Sequence, residues 1–255
     1  MEKLKKIYLN IEADKLQVFF AVLAYVEKFK NNKIFLFDDK NINLLEECEY
    51  YFNFQKLERR DHKYDYNTIN ITVNHKLPIT KIENLFSAPL IFPKLINSRF
   101  HTHIDKKINK IYFRGLLTKL RVVKCIQLFI EIKDFEAIKL FFMQILKFGS
   151  DFEIKTDKVF MKFTRRGRQK KYKYLDEEYY LEMSRYKYIF CPRGVFTWTY
   201  RFFEAVQVGS IPISKYSIPE YLDFFYLTTK TNETITQEQD EASQNYLAFK
   251  EKYHL

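Results

Sequence analysis

The sequence predicts an α/β protein built on parallel sheets, and three observations carry that expectation. Short β-branched and aromatic runs alternate with amphipathic runs along most of the chain. All five glycines (115, 149, 167, 194 and 209) stand after residue 110, and Gly115 and Gly194 each follow an apolar strand and precede a helix. Strand–helix–strand alternation is the pattern of a parallel sheet covered by helices.

The elements follow in order. The run "KKIYLNI" has the content of a buried strand, and in "ADKLQVFFAVLAYVEKFK" the residues Leu16, Phe19, Phe20, Leu23 and Val26 recur at helical spacing. "KIFLF" reads as a second strand ending at Asp38 and Asp39, and "YNTINITV" (66–73) as a third. The stretch "SAPLIFPKLINSRFHTHIDKK" holds two prolines without sustained periodicity and reads as a passage between halves. A second series then begins with strand "KIYF" (110–113), helices across 118–147 and strand "FEIK" (152–155). It continues with helix "DEEYYLEMSRY", strand "KYIFC", helix "WTYRFFEAVQV" and strand "IPIS". The boundaries expected are an N-terminal α/β domain over 1–105, a second α/β domain over 106–235, and a terminal helix over 236–255 returning to the first.

The formal charge of +11 predicts a surface that attracts phosphates or other anions, without saying which. Three dispersed cysteines give neither a metal spacing nor a disulfide framework, which predicts a reducing compartment. The N-terminal apolar run is short and interrupted by charge, so the expectation is a cytoplasmic protein, peripheral at most to a membrane. The basic run "TRRGRQKKYKY" (164–174) reads as a surface loop that could meet an anionic acceptor, a membrane surface or donor phosphates.

The stretch "KYIFCPRGVFTWTYRFFEAVQVGSIPIS" (187–214) concentrates the chemistry. Ligands of open α/β sheets bind at the carboxyl ends of strands, where glycine lets backbone approach closely and a helix N-terminus offers free N–H groups. Arg193 stands in such a turn, Thr197 is placed to cap the helix, and Arg201 and Glu204 share a helix face. A guanidinium there could fork onto phosphate, and a carboxylate could accept from a ribose diol. The plainer readings are an exposed Arg201–Glu204 pair, a turn at Gly194, a helix C-cap at Gly209 and a core Trp198.

The ordered elements resemble the C-terminal signature of exostosin-type glycosyltransferases, a family-47-like group with the GT-B fold. They stand here as Ser184-Arg185-Tyr186, Cys191-Pro192-Arg193-Gly194, Arg201-Phe202-Phe203-Glu204-Ala205 and Gly209-Ser210-Ile211-Pro212-Ile213. "IYFRGLLTKLR", with Phe113-Arg114-Gly115 and Arg121, is similar to the element that opens the family's nucleotide-binding domain. The resemblance implies two Rossmann-like domains facing a cleft and inverting transfer from a nucleotide diphosphate sugar, a UDP-sugar first, to a glycan hydroxyl. The basic run leaves open an acceptor that is anionic or lipid-linked. The resemblance places the donor on Arg114, Gly115, Arg193, Gly194, Thr197, Arg201 and Glu204. Asp38 and Asp39 are the candidates for the base, with a solvated turn as the plainer reading. No Asp-x-Asp occurs, so a transfer assisted by arginine and helix dipole, without a cofactor or essential metal, is expected. Two alternatives stay open: a basic nucleic-acid-binding protein, against which the aromatics follow core periodicity, and a non-catalytic glycan-binding module of the same fold.

Overall fold

A computed structural model describes residues 92–146, 151–164, 176–194, 196–228 and 238–253, and before these Phe20, Ala21, Ala24 and six strands. The chain is α/β and divides into two compact units: residues 1–95 with 170–175 and 252–255, and residues 96–169 with 176–251. Asp38, Asp39 and the basic run beyond Thr164 lie outside the described residues.

The first unit holds a six-stranded sheet in the order β2-β1-β3-β4-β5-β6. Its strands are β1 (Lys6–Asn10), β2 (Leu36–Phe37), β3 (Cys48–Phe54), β4 (Asn67–Asn74), β5 (Ile79–Ile82) and β6 (Phe86–Ala88). The first four run parallel, while β5 and β6 close the edge antiparallel. Strands β1, β2 and β4 fall on sequence-expected runs; β3, "CEYYFNF", was not expected. Phe20, Ala21 and Ala24 are helical and buried, with the Phe20 ring 5.1 Å from that of Phe92.

Helix α1 (Lys94–Phe100) lies in the passage expected to be irregular. Ile96, Asn97 and Phe100 are its buried face, a spacing of three and four that the flanking prolines obscured.

The sheet of the second unit has five strands in the order β11-β10-β7-β9-β8. They are β7 (Ile108–Leu116), β8 (Phe152–Lys155), β9 (Val159–Thr164), β10 (Tyr186–Phe190) and β11 (Ile211–Ile213). Only β8 runs antiparallel, paired with β9. Strand β9 was not expected, although Val159, Met161 and Phe163 alternate inward with period two. The chain starts in the middle with β7, moves to one side through β8 and β9, then crosses to β10 on the other. Its direction of winding therefore reverses between β7 and β10, where open α/β sheets form their ligand crevice.

The helices are α2 (Lys119–Glu131), α3 (Phe135–Leu146), α4 (Glu177–Met183), α5 (Tyr200–Gln207) and α6 (Glu238–Tyr253). Phe113, Phe129, Phe141, Met161 and Phe163 form the centre of the core under α2 and α3. Asp134, itself buried, accepts from Ala137 N and from Thr156 Oγ1, so one carboxylate caps α3 and fixes the β8–β9 turn. On α6, Ala242, Asn245 and Phe249 form the buried face, and Asn245 exchanges two hydrogen bonds with the Phe225 backbone.

Two devices fix the ends of α4 and α5. Buried Lys107 donates to the carbonyls of Ser184 (2.5 Å) and Val208 (2.8 Å), the C-cap residues of both helices. An ammonium there meets the negative ends of two helix dipoles, while burial pulls its pKa down to about 7. Beyond Val208, Gly209 adopts φ 74°, with Gly209 N donating to Val206 O and Ser210 N to Ala205 O, a Schellman motif. A Cβ on Gly209 would sit 2.6 Å from Thr102 O and 2.8 Å from His101 Nε2.

Gly209→Ala is therefore expected to lower stability by about 2 kcal/mol or more in chemical denaturation, from left-handed backbone and overlap together. His101 packs on Tyr246, with ring centroids 3.9 Å apart. Burial, helped by the charges of Lys107, His103 and Lys250, lowers its pKa from 6.5 to about 4. The folded state then binds fewer protons than the unfolded one, so this stability is complete above pH 6.5 and is lost as pH falls towards 4. The difference in denaturation midpoint between wild type and His101→Phe should stay constant above pH 6.5 and turn against the wild type as pH falls from there towards 4.

Candidate functional site

The carboxyl ends of β7 and β10 lead into two turns built alike. At the end of β7, Gly115, its penultimate residue, precedes Thr118, whose hydroxyl caps α2 by accepting from Arg121 N at 3.3 Å. After β10, Gly194 precedes Thr199, whose hydroxyl caps α5 by accepting from Arg201 N at 3.4 Å. Each helix thus begins with a capping threonine and carries an arginine in its first turn. The expected cap, Thr197, is corrected: the helix starts at Tyr200, and Thr199 has the extended backbone a cap requires.

The two arginines turn back towards the strand ends. Arg201 is 8% exposed; its Nη2 donates to Arg114 O at 2.6 Å, and its Cζ lies 4.5 Å from the Phe113 ring centroid. Its Nε and Nη1 are buried and have no hydrogen-bond partner among the described residues. Arg121 Nη1 donates to Leu116 O at 2.9 Å, and its Nε is likewise buried without a partner. Burial, aided by the neighbouring Arg201 charge, lowers the Arg121 pKa to about 10.

Both glycines touch these heads. A Cβ on Gly115 would lie 2.8 Å from Arg201 Nη2, whereas one on Gly194 would meet Arg121 Nη2 at an ordinary 3.6 Å. Only the first glycine is required by space. Beside Gly194, the Arg193 guanidinium lies 4.8 Å from the Tyr216 ring centroid, and its Nε too is buried without a partner. Lys124, one turn beyond Arg121, approaches the same tyrosine ring at 5.4 Å. A buried unsatisfied N–H costs about 1–3 kcal/mol, and more when charged. Like charges side by side add to that cost. Two turns that converge such groups on one strand edge are suited to an anion with several acceptor oxygens.

The structure brings Gly115, Arg193, Gly194 and Arg201 together and sets the other expected residues elsewhere. Arg114 gives the cluster only its carbonyl. Its guanidinium forms ion pairs with Glu178 and Glu182, both at 3.5 Å. Burial acts to lower its pKa, but Tyr112, Asp176, Glu178 and Glu182 outweigh it, so the value is raised. Glu182 also accepts from Tyr112 Oη at 2.7 Å and pairs with Lys162, which makes it the hub of a neutralised network.

Glu204 is 1% exposed and accepts from Tyr179 Oη at 3.0 Å and Tyr180 Oη at 2.9 Å, tying α5 to α4. The exposed Arg201–Glu204 pair is corrected as well: both side chains are buried, and Arg201 bonds to Arg114 O instead. Sequence reasoning noted Arg121 without giving it a role. The repeated strand, glycine, threonine and arginine order is the signal that would have found it.

His101 and His103 stand edge to face at 5.7 Å, and among the described residues no group of three His, Cys, Asp or Glu side chains could hold a metal ion. No protein-family model matches the chain, and no curated protein matches it.

The two glycines make contrasting predictions. Gly115→Ala should displace the Arg201 head and lower stability by about 1–3 kcal/mol, and Gly194→Ala should stay within about 0.5 kcal/mol of wild type. Paired denaturant titrations would check both.

Proposed function

We propose that the protein is an inverting glycosyltransferase of GT-B type that takes its sugar from a nucleotide diphosphate donor. In this reading the second unit is the donor domain. The observation that carries the proposal is the pair of neighbouring buried arginines, Arg121 and Arg201, whose N–H groups lack partners among the described residues, with Arg193 beside Gly194 in the adjoining turn, at the point where the winding of the sheet reverses. The ordered sequence signature through the same turns supports the choice of transferase over other phosphate-binding enzymes.

The chemistry follows from charge. As the bond from the anomeric carbon to the diphosphate breaks, negative charge grows on the leaving phosphate oxygens. Arg121 and Arg201 are the fixed donors for those oxygens, and Arg193 is the third, held against Tyr216. Gly115 keeps the Arg201 head close to the strand end. Glu204 acts on the site through α5, whose rotation it fixes against Tyr179 and Tyr180. The proton of the acceptor hydroxyl goes to a base that we assign to Asp38 or Asp39, the acidic pair that follows strand β2 in the sequence. The donor is read first as a UDP-sugar and the acceptor as a glycan hydroxyl. An exposure of only 8% at Arg201 suits the compact charge of a diphosphate better than a polymeric nucleic-acid backbone.

A thermal-shift and calorimetric panel of UDP, GDP, dTDP and CMP, with and without EDTA, tests the proposal. Nucleoside diphosphates should raise the melting temperature while CMP has a much smaller effect. Arg121→Ala and Arg201→Gln should each weaken diphosphate binding by about 10- to 100-fold, the loss expected of a charged hydrogen bond. UDP-sugar hydrolysis by wild type should fall with the same substitutions. If no nucleotide shifts the protein while an oligonucleotide does so with steep salt dependence, the transferase reading is wrong and the nucleic-acid reading replaces it.

A further inference from the structure

We infer that the outer face of α3 docks the protein on an anionic lipid surface. Nine of the twelve residues of this helix, "FEAIKLFFMQIL", are apolar. A helix that is apolar all round is ordinarily covered on every side, yet α3 packs only its inner face, through Ala137 and Phe141, towards α2 and β8. The outer face presents Phe135 (72% exposed), Phe142 (47%), Met143 (44%) and Leu146 (73%). Their spacing of seven, eight and eleven residues from Phe135 aligns them in one stripe. Helix α2, joined to α3 by a short turn, adds Val123 and Ile130, half-exposed and seven residues apart.

Charge selects the occupant. Lys139 stands within the stripe, and Lys133 and Lys158 stand at the α2–α3 turn, where the Lys158 ammonium donates to Ile132 O and Lys133 O. Glu136 is the one acidic residue on the exposed arc of α3. A second copy of the chain would bring another +11 charge and another Lys139 against this face, whereas anionic headgroups complement it. An exposed apolar helix face that carries one lysine and has two more at its end can lie in the headgroup region of such a surface. Twelve residues are too few to span a bilayer, so the contact is with one leaflet. The inference is independent of the transferase reading.

Co-sedimentation of the full chain with vesicles of phosphatidylcholine alone, or mixed with phosphatidylglycerol, tests it. Wild type should partition onto the anionic vesicles and be released by high salt. Phe142→Ser with Leu146→Ser should reduce that partitioning at least about tenfold, and Lys139→Glu should reduce it at low salt. Leu222→Ser, which alters a residue 72% exposed in another part of the unit, should leave it unchanged. All variants should keep the wild-type melting temperature, because the altered side chains are at the surface. Wild type remaining in the supernatant with every vesicle would overturn the inference. So would light scattering that shows a dimer which the Phe142/Leu146 variant dissociates, since the occupant would then be a second copy.

Discussion

The candidate site of the second unit depends on a cation held at the end of its central strands, with no acidic partner among the described residues. Arg201 reaches past Gly115 to the Arg114 carbonyl, and the rest of its guanidinium lies buried beside Arg121 and the Phe113 ring. One carbonyl bond and one ring contact are little return for burying a charge, which an apolar residue of similar volume often replaces at no cost. The surroundings hold it in place instead. Threonine caps fix both helix starts, Glu204 locks α5 to α4, and Lys107 joins the far ends of the same two helices. Polar strain that the fold over-determines is what singles these residues out as a candidate ligand site.

The contrast with the opposite face of β7 makes the point sharper. There Arg114 and Lys162 meet Glu178, Glu182 and Glu153, and every cation has an acid beside it. The same strand therefore carries a neutralised network on one side and an uncompensated one on the other. Strand alternation sends Arg114 to the first side, while the absence of a side chain at Gly115 opens the second to Arg201. A single residue step along β7 separates stability chemistry from candidate binding chemistry.

Much of this was legible in the sequence, and what was not had specific causes. The glycine turns and the strands before them were visible because apolar runs ending at glycine are local signals. Strand β9 was overlooked because its inward residues Val159, Met161 and Phe163 are interrupted by another phenylalanine and border the basic run. Helix α1 was overlooked because Pro89 and Pro93 broke the pattern just before it. The pairing of Arg201 with Glu204 was misread because a spacing of three ordinarily means a surface pair. Burial of α5 from Arg201 to Gln207, and acceptance by Glu204 from two tyrosines on another helix, are tertiary facts with no local trace. Arg121 acquires meaning only once β7 and β10 are known to be neighbours.

The most direct test is the denaturant stability of Arg121→Gln, measured with and without inorganic pyrophosphate. If the arginines are like charges kept close for a diphosphate, removing one relieves repulsion. The variant should then be at least as stable as wild type in the absence of anion, and only wild type should gain stability when pyrophosphate is added. A variant that is less stable by itself, yet still responds to pyrophosphate like wild type, would show that Arg121 serves the fold and that the anion binds elsewhere.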